Sequence, residues 1–310
     1  MDNLPALRAP ERSAPPVAGP PPVLAGLVRP GDWALQVGPG PVAAQMVRWT
    51  GHTVVSLQST TAEVEDVRAA LGPAGRNAGL VDVEAGDLYD GRPGAGPYDV
   101  IVVTTAVTGL SPRWIDQLKP GGVIIAPVAL GGLHPWIVAG RDPRDGLLCG
   151  RVIGCDLPAA APPRAGGILY SQPPALPGAR PAPELRRTGP LPRRMTVDQY
   201  PALWMFAAVS DDMITAVVPD GMPTWGPTCA LTTGDSAVYL RPDGIWPSDA
   251  NPATDTLTHC LAELSLEWGG RFRPEVTDWT CRFVQHPDED PVSLATPTGW
   301  SMARPAILPR

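Results

Sequence analysis

The run Ala34-Leu35-Gln36-Val37-Gly38-Pro39-Gly40-Pro41 constrains the fold of this chain more than any other stretch. A short strand-compatible segment leads into a glycine turn, and the helix-compatible run Val42-Ala43-Ala44-Gln45-Met46-Val47-Arg48-Trp49 follows. Strand, glycine turn and helix in that order form a ligand-cradling unit of doubly wound α/β folds. Glycine lets the backbone approach a ligand closely, and the helix N-terminus offers unpaired N–H groups. In a chain with 33 glycines and 41 prolines a lone G-x-G has little specificity, so its neighbours decide.

Those neighbours keep the alternation. Thr53-Val54-Val55-Ser56-Leu57 predicts a second strand, and Thr61 to Leu71 a helix with Val64, Val67 and Leu71 on one face. Val81-Asp82-Val83 is a short third strand. Tyr98-Asp99-Val100-Ile101-Val102-Val103-Thr104 is an apolar run of the kind buried on both faces of a parallel sheet. Trp114 to Leu118 predicts a short helix, Lys119-Pro120-Gly121-Gly122 a turn, and Val123 to Val128 a fifth strand. Strands alternating with helices at roughly 20–30 residue spacing argue for βαβ units.

Beyond Pro135 the pattern loosens. Trp136 to Ala139 and Arg151 to Ile153 predict a hairpin at the sheet edge. Downstream, Pro201 to Val209 reads as a helix, and Ala216 to Val218 and Ala237 to Leu240 read as strands. Thr254 to Trp268 is an amphipathic helix, and Trp279 to Val284 is the last strand. The expected fold class is α/β, a doubly wound sheet with a smaller C-terminal α+β domain. The division follows composition: a Pro-rich arm over 1–22, the α/β domain over 23–157, a Pro-rich connection over 158–194 and the small domain over 195–310.

Charge and cysteine usage narrow the function classes. The 24 Lys and Arg against 31 Asp and Glu give a net charge of −7, with no basic cluster that would grip a phosphate backbone, so nucleic acid is not expected as a partner. Five widely spaced cysteines without C-x-x-C imply neither a disulfide framework nor a zinc site, and no metal is expected. The N-terminus lacks a basic and apolar leader, and no apolar run is long enough to span a bilayer. The expectation is a cytoplasmic protein without a membrane partner.

The ordered segments resemble the protein-L-isoaspartate O-methyltransferase family, within the S-adenosylmethionine-dependent methyltransferases of Rossmann-like fold. The resemblance rests on Arg29-Pro30-Gly31-Asp32, Leu35-Gln36-Val37-Gly38-Pro39-Gly40, Val54-Val55-Ser56-Leu57-Gln58, Gly86-Asp87-Leu88-Tyr89-Asp90-Gly91, Pro97 to Thr104, and Leu118-Lys119-Pro120-Gly121-Gly122. It covers about residues 28 to 140, and residues 195 to 300 more loosely resemble the tail of actinobacterial members. It implies S-adenosyl-L-methionine as cofactor and a protein or peptide Asp or isoAsp carboxylate as acceptor. Gly38 and Gly40 would meet the methionine part, Gln58 the ribose, and Asp87, with Leu88 beside it, the adenine. Thr104 and Thr105 would face the reacting sulfonium as the catalytic pair. Ser13 is the nearest match to the family's substrate segment. Carboxyl methylation needs little acid–base help, because the acceptor is already ionised at neutral pH.

Departures from the family pattern support a second class of function. Gln36 and Gln58 stand where the family carries acids, and a neutral amide gives up charge-assisted bonds, which are about twice as strong as neutral ones. Pro41-Val42 replaces the expected small pair after Gly40, and much of the N-terminal substrate region is missing. The alternative is a catalytically degenerate methyltransferase fold kept as a binding or scaffolding module.

Overall fold

The computed structural model describes residues 22–40, 42–77, 80–156, 177–189, 191, 195–196, 199–222, 225–271, 273–285 and 294–302. In chain order the first half gives β1 (Ala34–Val37), α1 (Val42–Thr50), β2 (Val54–Gln58), α2 (Thr61–Asn77), β3 (Val81–Ala85), β4 (Tyr98–Val103), α3 (Pro112–Asp116) and β5 (Leu118–Pro127). Two further strands follow, β6 (His134–Arg141) and β7 (Leu148–Asp156). The second half gives β8 (Pro177–Gly178), α4 (Gln199–Ser210), β9 (Thr215–Pro219), β10 (Thr228–Thr233), β11 (Ser236–Arg241), β12 (Gly244–Pro247), α5 (Pro252–Gly270), β13 (Trp279–Gln285) and β14 (Ala295–Met302).

The first five strands pair in parallel, in the order β3-β2-β1-β4-β5. Every residue of β1 and β2 is buried. A parallel strand buried on both faces needs cover on both, and the side chains divide accordingly with the strand's period of two. Ala34, Val54, Val100 and Val102 pack against Val42, Ala43 and Met46 of α1 and against Leu24 and Val28. Leu35, Val37, Val55, Leu57, Ile101 and Val103 face the other way, into a core that runs on through α4, α5 and β13. The fold is thus mixed α/β, with a Rossmann-like parallel core and a separate small sheet ordered β12-β11-β10-β9-β8. Among the described residues no helix is long and apolar enough to cross a membrane.

Several local expectations are corrected. The β6–β7 hairpin does not form the edge, because β13 pairs antiparallel with β7 (Thr280 opposite Arg151, Arg282 opposite Cys149) and β14 lies outside β13. Trp279 to Val284 is therefore not the last strand. β14 reads Ala-Thr-Pro-Thr-Gly-Trp-Ser-Met, with no apolar alternation, and only its ladder with β13 makes it a strand. The segment Lys119–Gly122, expected as a turn, lies inside β5, where the pairing with β4 shifts register. The short helix expected over Trp114–Leu118 begins earlier, at Pro112, since Ser111 caps it by accepting from Arg113 N and proline suits a first turn.

The C-terminal half is fastened to the parallel core by α4. Tyr200 to Ala208 of this helix are buried apart from Pro201, so it is apolar all round, as an interior helix must be. Trp204 Nε1 donates to the carbonyl of Gly131 at 2.8 Å, and Tyr200 Oη to that of Leu240 at 2.7 Å. Gly131 and Gly132, in the β5–β6 turn, hold φ of 52° and 83°. A Cβ on Gly132 would lie 2.4 Å from both Cβ and N of Ala216. We expect Gly132→Ala to cost about 2 kcal/mol or more, from the left-handed backbone and the overlap together. Urea unfolding measures it, and an unchanged midpoint would contradict this close docking.

Asp249 joins the small sheet to the start of α5. It accepts from Ser236 Oγ at 2.6 Å, Thr254 Oγ1 at 2.7 Å and Asn251 N at 3.1 Å. Ser236, then Thr254 and Asn251, hold its carboxyl down at about 2. A folded pKa below the unfolded value of about 3.9 gives stability that is complete above that value and lost as pH falls towards 2. The thermal midpoint should therefore fall over this interval, with a shallower slope in Asp249→Asn. Equal slopes in the two proteins would refute the assignment.

Candidate functional site

In the order β3-β2-β1-β4-β5 the chain moves outward from β1 in one direction and then returns to its other side with β4. Such a switch point is where open α/β sheets take ligands, outside the carboxyl ends of the strands. The glycine turn leaves β1 there. Gly38 and Gly40 hold φ of 101° and 102°, which side chains with a Cβ rarely adopt. A Cβ on Gly38 would sit 3.1 Å from Thr104 Oγ1, whereas one on Gly40 would face open space.

The turn is held by named donors. Thr104 N donates to Val37 O at 3.0 Å and Thr104 Oγ1 to Pro39 O at 2.8 Å. Gln36, fully buried, donates through Nε2 to Gly38 O at 3.0 Å and to Gly40 O at 2.7 Å. Its Oε1 accepts from Ala43 N, in the first turn of α1, at 2.9 Å, and from Ser56 Oγ at 3.2 Å. Gln58, also fully buried, donates from Nε2 to Ser56 Oγ at 2.9 Å. Its Oε1 is buried without a hydrogen-bond partner.

The residues named from sequence divide into groups. Gly38, Gly40, Gln58, Thr104 and Thr105 gather around the ends of β1, β2 and β4. Thr104 is engaged with the turn, and Thr105 is buried, its Cγ2 3.5 Å from the Cβ position of Gly38. Asp87 follows β3, one strand further out. It is exposed, and its Oδ1 accepts from Tyr89 N at 2.8 Å. Leu88 turns its side chain into the core, and its carbonyl accepts from Trp114 Nε1 at 2.7 Å. Ser13 lies outside the described residues. Asp99 accepts from Trp33 N at 2.8 Å and Lys119 Nζ at 2.6 Å. Burial pushes its carboxyl up, but these donors outweigh that and leave it below the ordinary range.

Sequence reasoning missed Ser56, and it treated Gln36 only as a lost acid. The available signal was polarity: Gln36, Ser56 and Gln58 interrupt runs otherwise apolar enough for doubly buried strands, and such groups must find partners.

The strand order and this turn define a Rossmann-like domain with a glycine turn at its switch point. Within it, residues 22–144 match the sequence profile of the Protein-L-isoaspartate(D-aspartate) O-methyltransferase (PCMT) family. A Protein-L-isoaspartate O-methyltransferase 1 from Cupriavidus necator is 31% identical over 136 residues, 41% of this chain and 49% of the relative. A Protein-L-isoaspartate O-methyltransferase from Ignicoccus hospitalis is 37% identical over 111 residues, 34% of this chain and 51% of the relative. The matched stretch thus spans about half the length of these curated relatives. Among solved structures, a protein-L-isoaspartate O-methyltransferase aligns over 91% of this chain and 81% of its own, with 20% identity and a TM-score of 0.44.

Removing the Thr104 hydroxyl tests the turn. Thr104→Val leaves Pro39 O without that donor and should cost about 1–2 kcal/mol, while Thr104→Ser keeps the bond and most of the stability. Chemical denaturation of both variants checks it, and equal losses would show that the hydroxyl is not what matters.

Proposed function

We propose that the chain binds S-adenosyl-L-methionine at the carboxyl ends of β1, β2 and β4 and methylates an Asp or isoAsp carboxylate of a protein or peptide. The observation that carries this reading is the orphaned Oε1 of Gln58, a buried acceptor beside the glycine turn. A buried acceptor without a donor costs roughly 1–3 kcal/mol, and a ribose hydroxyl supplies a donor of the right kind. The match over residues 22–144 supports the choice of nucleoside.

Gly38 and Gly40 would let the backbone lie against the amino-acid part of the cofactor, and Asp87 would accept from the adenine amino group, with Leu88 N–H beside it. Thr104 keeps the turn in place and is a positioning residue on this geometry. Thr105, nearly closed to solvent, would wall the reacting centre against water. When bound, the cofactor supplies an electrophilic methyl group. The acceptor carboxylate is ionised at neutral pH, so the residues act by holding the acceptor in line and excluding water. The neutral Gln36 and Gln58 favour a second reading, a binding module that has kept the cleft and lost the transfer.

Calorimetry with S-adenosylmethionine, followed by transfer of labelled methyl to an isoaspartyl peptide, tests both readings. The expected result is saturable binding, weakened about tenfold in Gln58→Ala, consistent with loss of one well-made polar contact, and label recovered as a base-labile ester. Binding without transfer selects the module. Absence of binding at millimolar cofactor overturns the proposal.

A further inference from the structure

The hydrogen bonds around Gln36 have a direction set by the backbone. Its Nε2 side is identified by the carbonyls of Gly38 and Gly40, and its Oε1 side by the N–H of Ala43. Ser56 meets that Oε1, an acceptor, so its single hydrogen must point to Gln36. Ser56 then has only lone pairs left for Gln58, which must present Nε2. The Gln58 atom left over is consequently Oε1, the buried and unpartnered one.

We infer that Gln58, Ser56 and Gln36 form a one-way hydrogen-bond relay that positions the glycine turn, requires a neutral amide at both ends, and selects a hydroxyl donor as the ligand group at Gln58. The last clause rests on the nucleoside reading above; the first two do not. An acid at either amide position breaks the relay. A carboxylate at 36 would set acceptor oxygens against the carbonyls of Gly38 and Gly40, now 3.0 and 2.7 Å from the amide nitrogen. A carboxylate at 58 has no hydrogen for Ser56. It would take the serine's own, and Gln36 would lose that donor. Reinstating the acids of the family pattern should therefore damage the turn.

Gln36 is a positioning residue, whereas Gln58 both anchors the relay and meets the ligand hydroxyl, so the readouts are pH as well as affinity. In Gln36→Glu the introduced carboxyl is fully buried with one oxygen held against the carbonyls of Gly38 and Gly40, and desolvation with that repulsion places its folded pKa above the unfolded value of about 4.3. Its stability deficit against the parent should be small below that value and grow as pH rises. In Gln36→Ala the deficit should not change with pH. Gln58→Glu should bind S-adenosylmethionine at least fivefold more weakly than the parent. Ser56→Ala, which cuts the relay, should combine non-additively with Gln58→Glu in unfolding midpoint. The experiment is urea unfolding of the five proteins (parent, the three Gln variants and Ser56→Ala) and the Ser56→Ala/Gln58→Glu double variant from pH 4 to 8, with calorimetry at neutral pH. A pH-independent deficit in Gln36→Glu, additive effects at 56 and 58, or tighter binding by Gln58→Glu would overturn the relay. If the parent binds no cofactor, the nucleoside reading and the hydroxyl preference fall, while the unfolding data still decide the relay.

Discussion

The carbonyl oxygens of Val37, Gly38, Pro39 and Gly40 each take a protein donor where β1 ends. Water reaches Val37 and Gly38 poorly, because β1 lies between β2 and β4 and is buried on both faces, while Pro39 and Gly40 are half-buried. The end of β4 and β1 itself supply the donors. Thr104, just past β4, satisfies two of these oxygens through its N–H and hydroxyl, and Gln36 satisfies the other two through its amide. Buried backbone acceptors that were not satisfied would each cost a large fraction of the stability of a marginal fold. The turn geometry follows from this requirement.

The same requirement explains why polar residues sit in strands that packing alone would make wholly apolar. Ser56 and Gln58 occupy buried positions of β2, and Gln36 lies directly opposite Ser56 in the parallel register. Three neutral side chains satisfy one another and the backbone with no ion in the interior, which avoids the desolvation that a buried carboxylate would carry. The single unmet atom, Gln58 Oε1, marks where the network stops.

Much of the parallel half was legible in the sequence because local pattern and tertiary role agree there. The runs at Ala34, Val54 and Tyr98 are apolar apart from Gln36, Ser56, Gln58 and Asp99, and only a sheet covered on both faces buries such runs. The glycine turn at the end of β1 was legible from Gly38 and Gly40. The edge of the sheet was not: β14 has no alternating pattern, and β13 joins β7 after a long excursion through α4, the small sheet and α5. The relay was hidden for a related reason. The direction of a hydrogen bond at Gln36 depends on carbonyls that approach it only in three dimensions, so comparison of residue types shows a missing acid and not the bonds that an amide makes.

A crystal structure of the chain with S-adenosylhomocysteine tests the account most directly. It should have a ribose hydroxyl within hydrogen-bond distance of Gln58 Oε1, with Gln36 still donating to the carbonyls of Gly38 and Gly40. A nucleoside bound away from β2, or a turn whose carbonyls have swung away from Gln36, would contradict it.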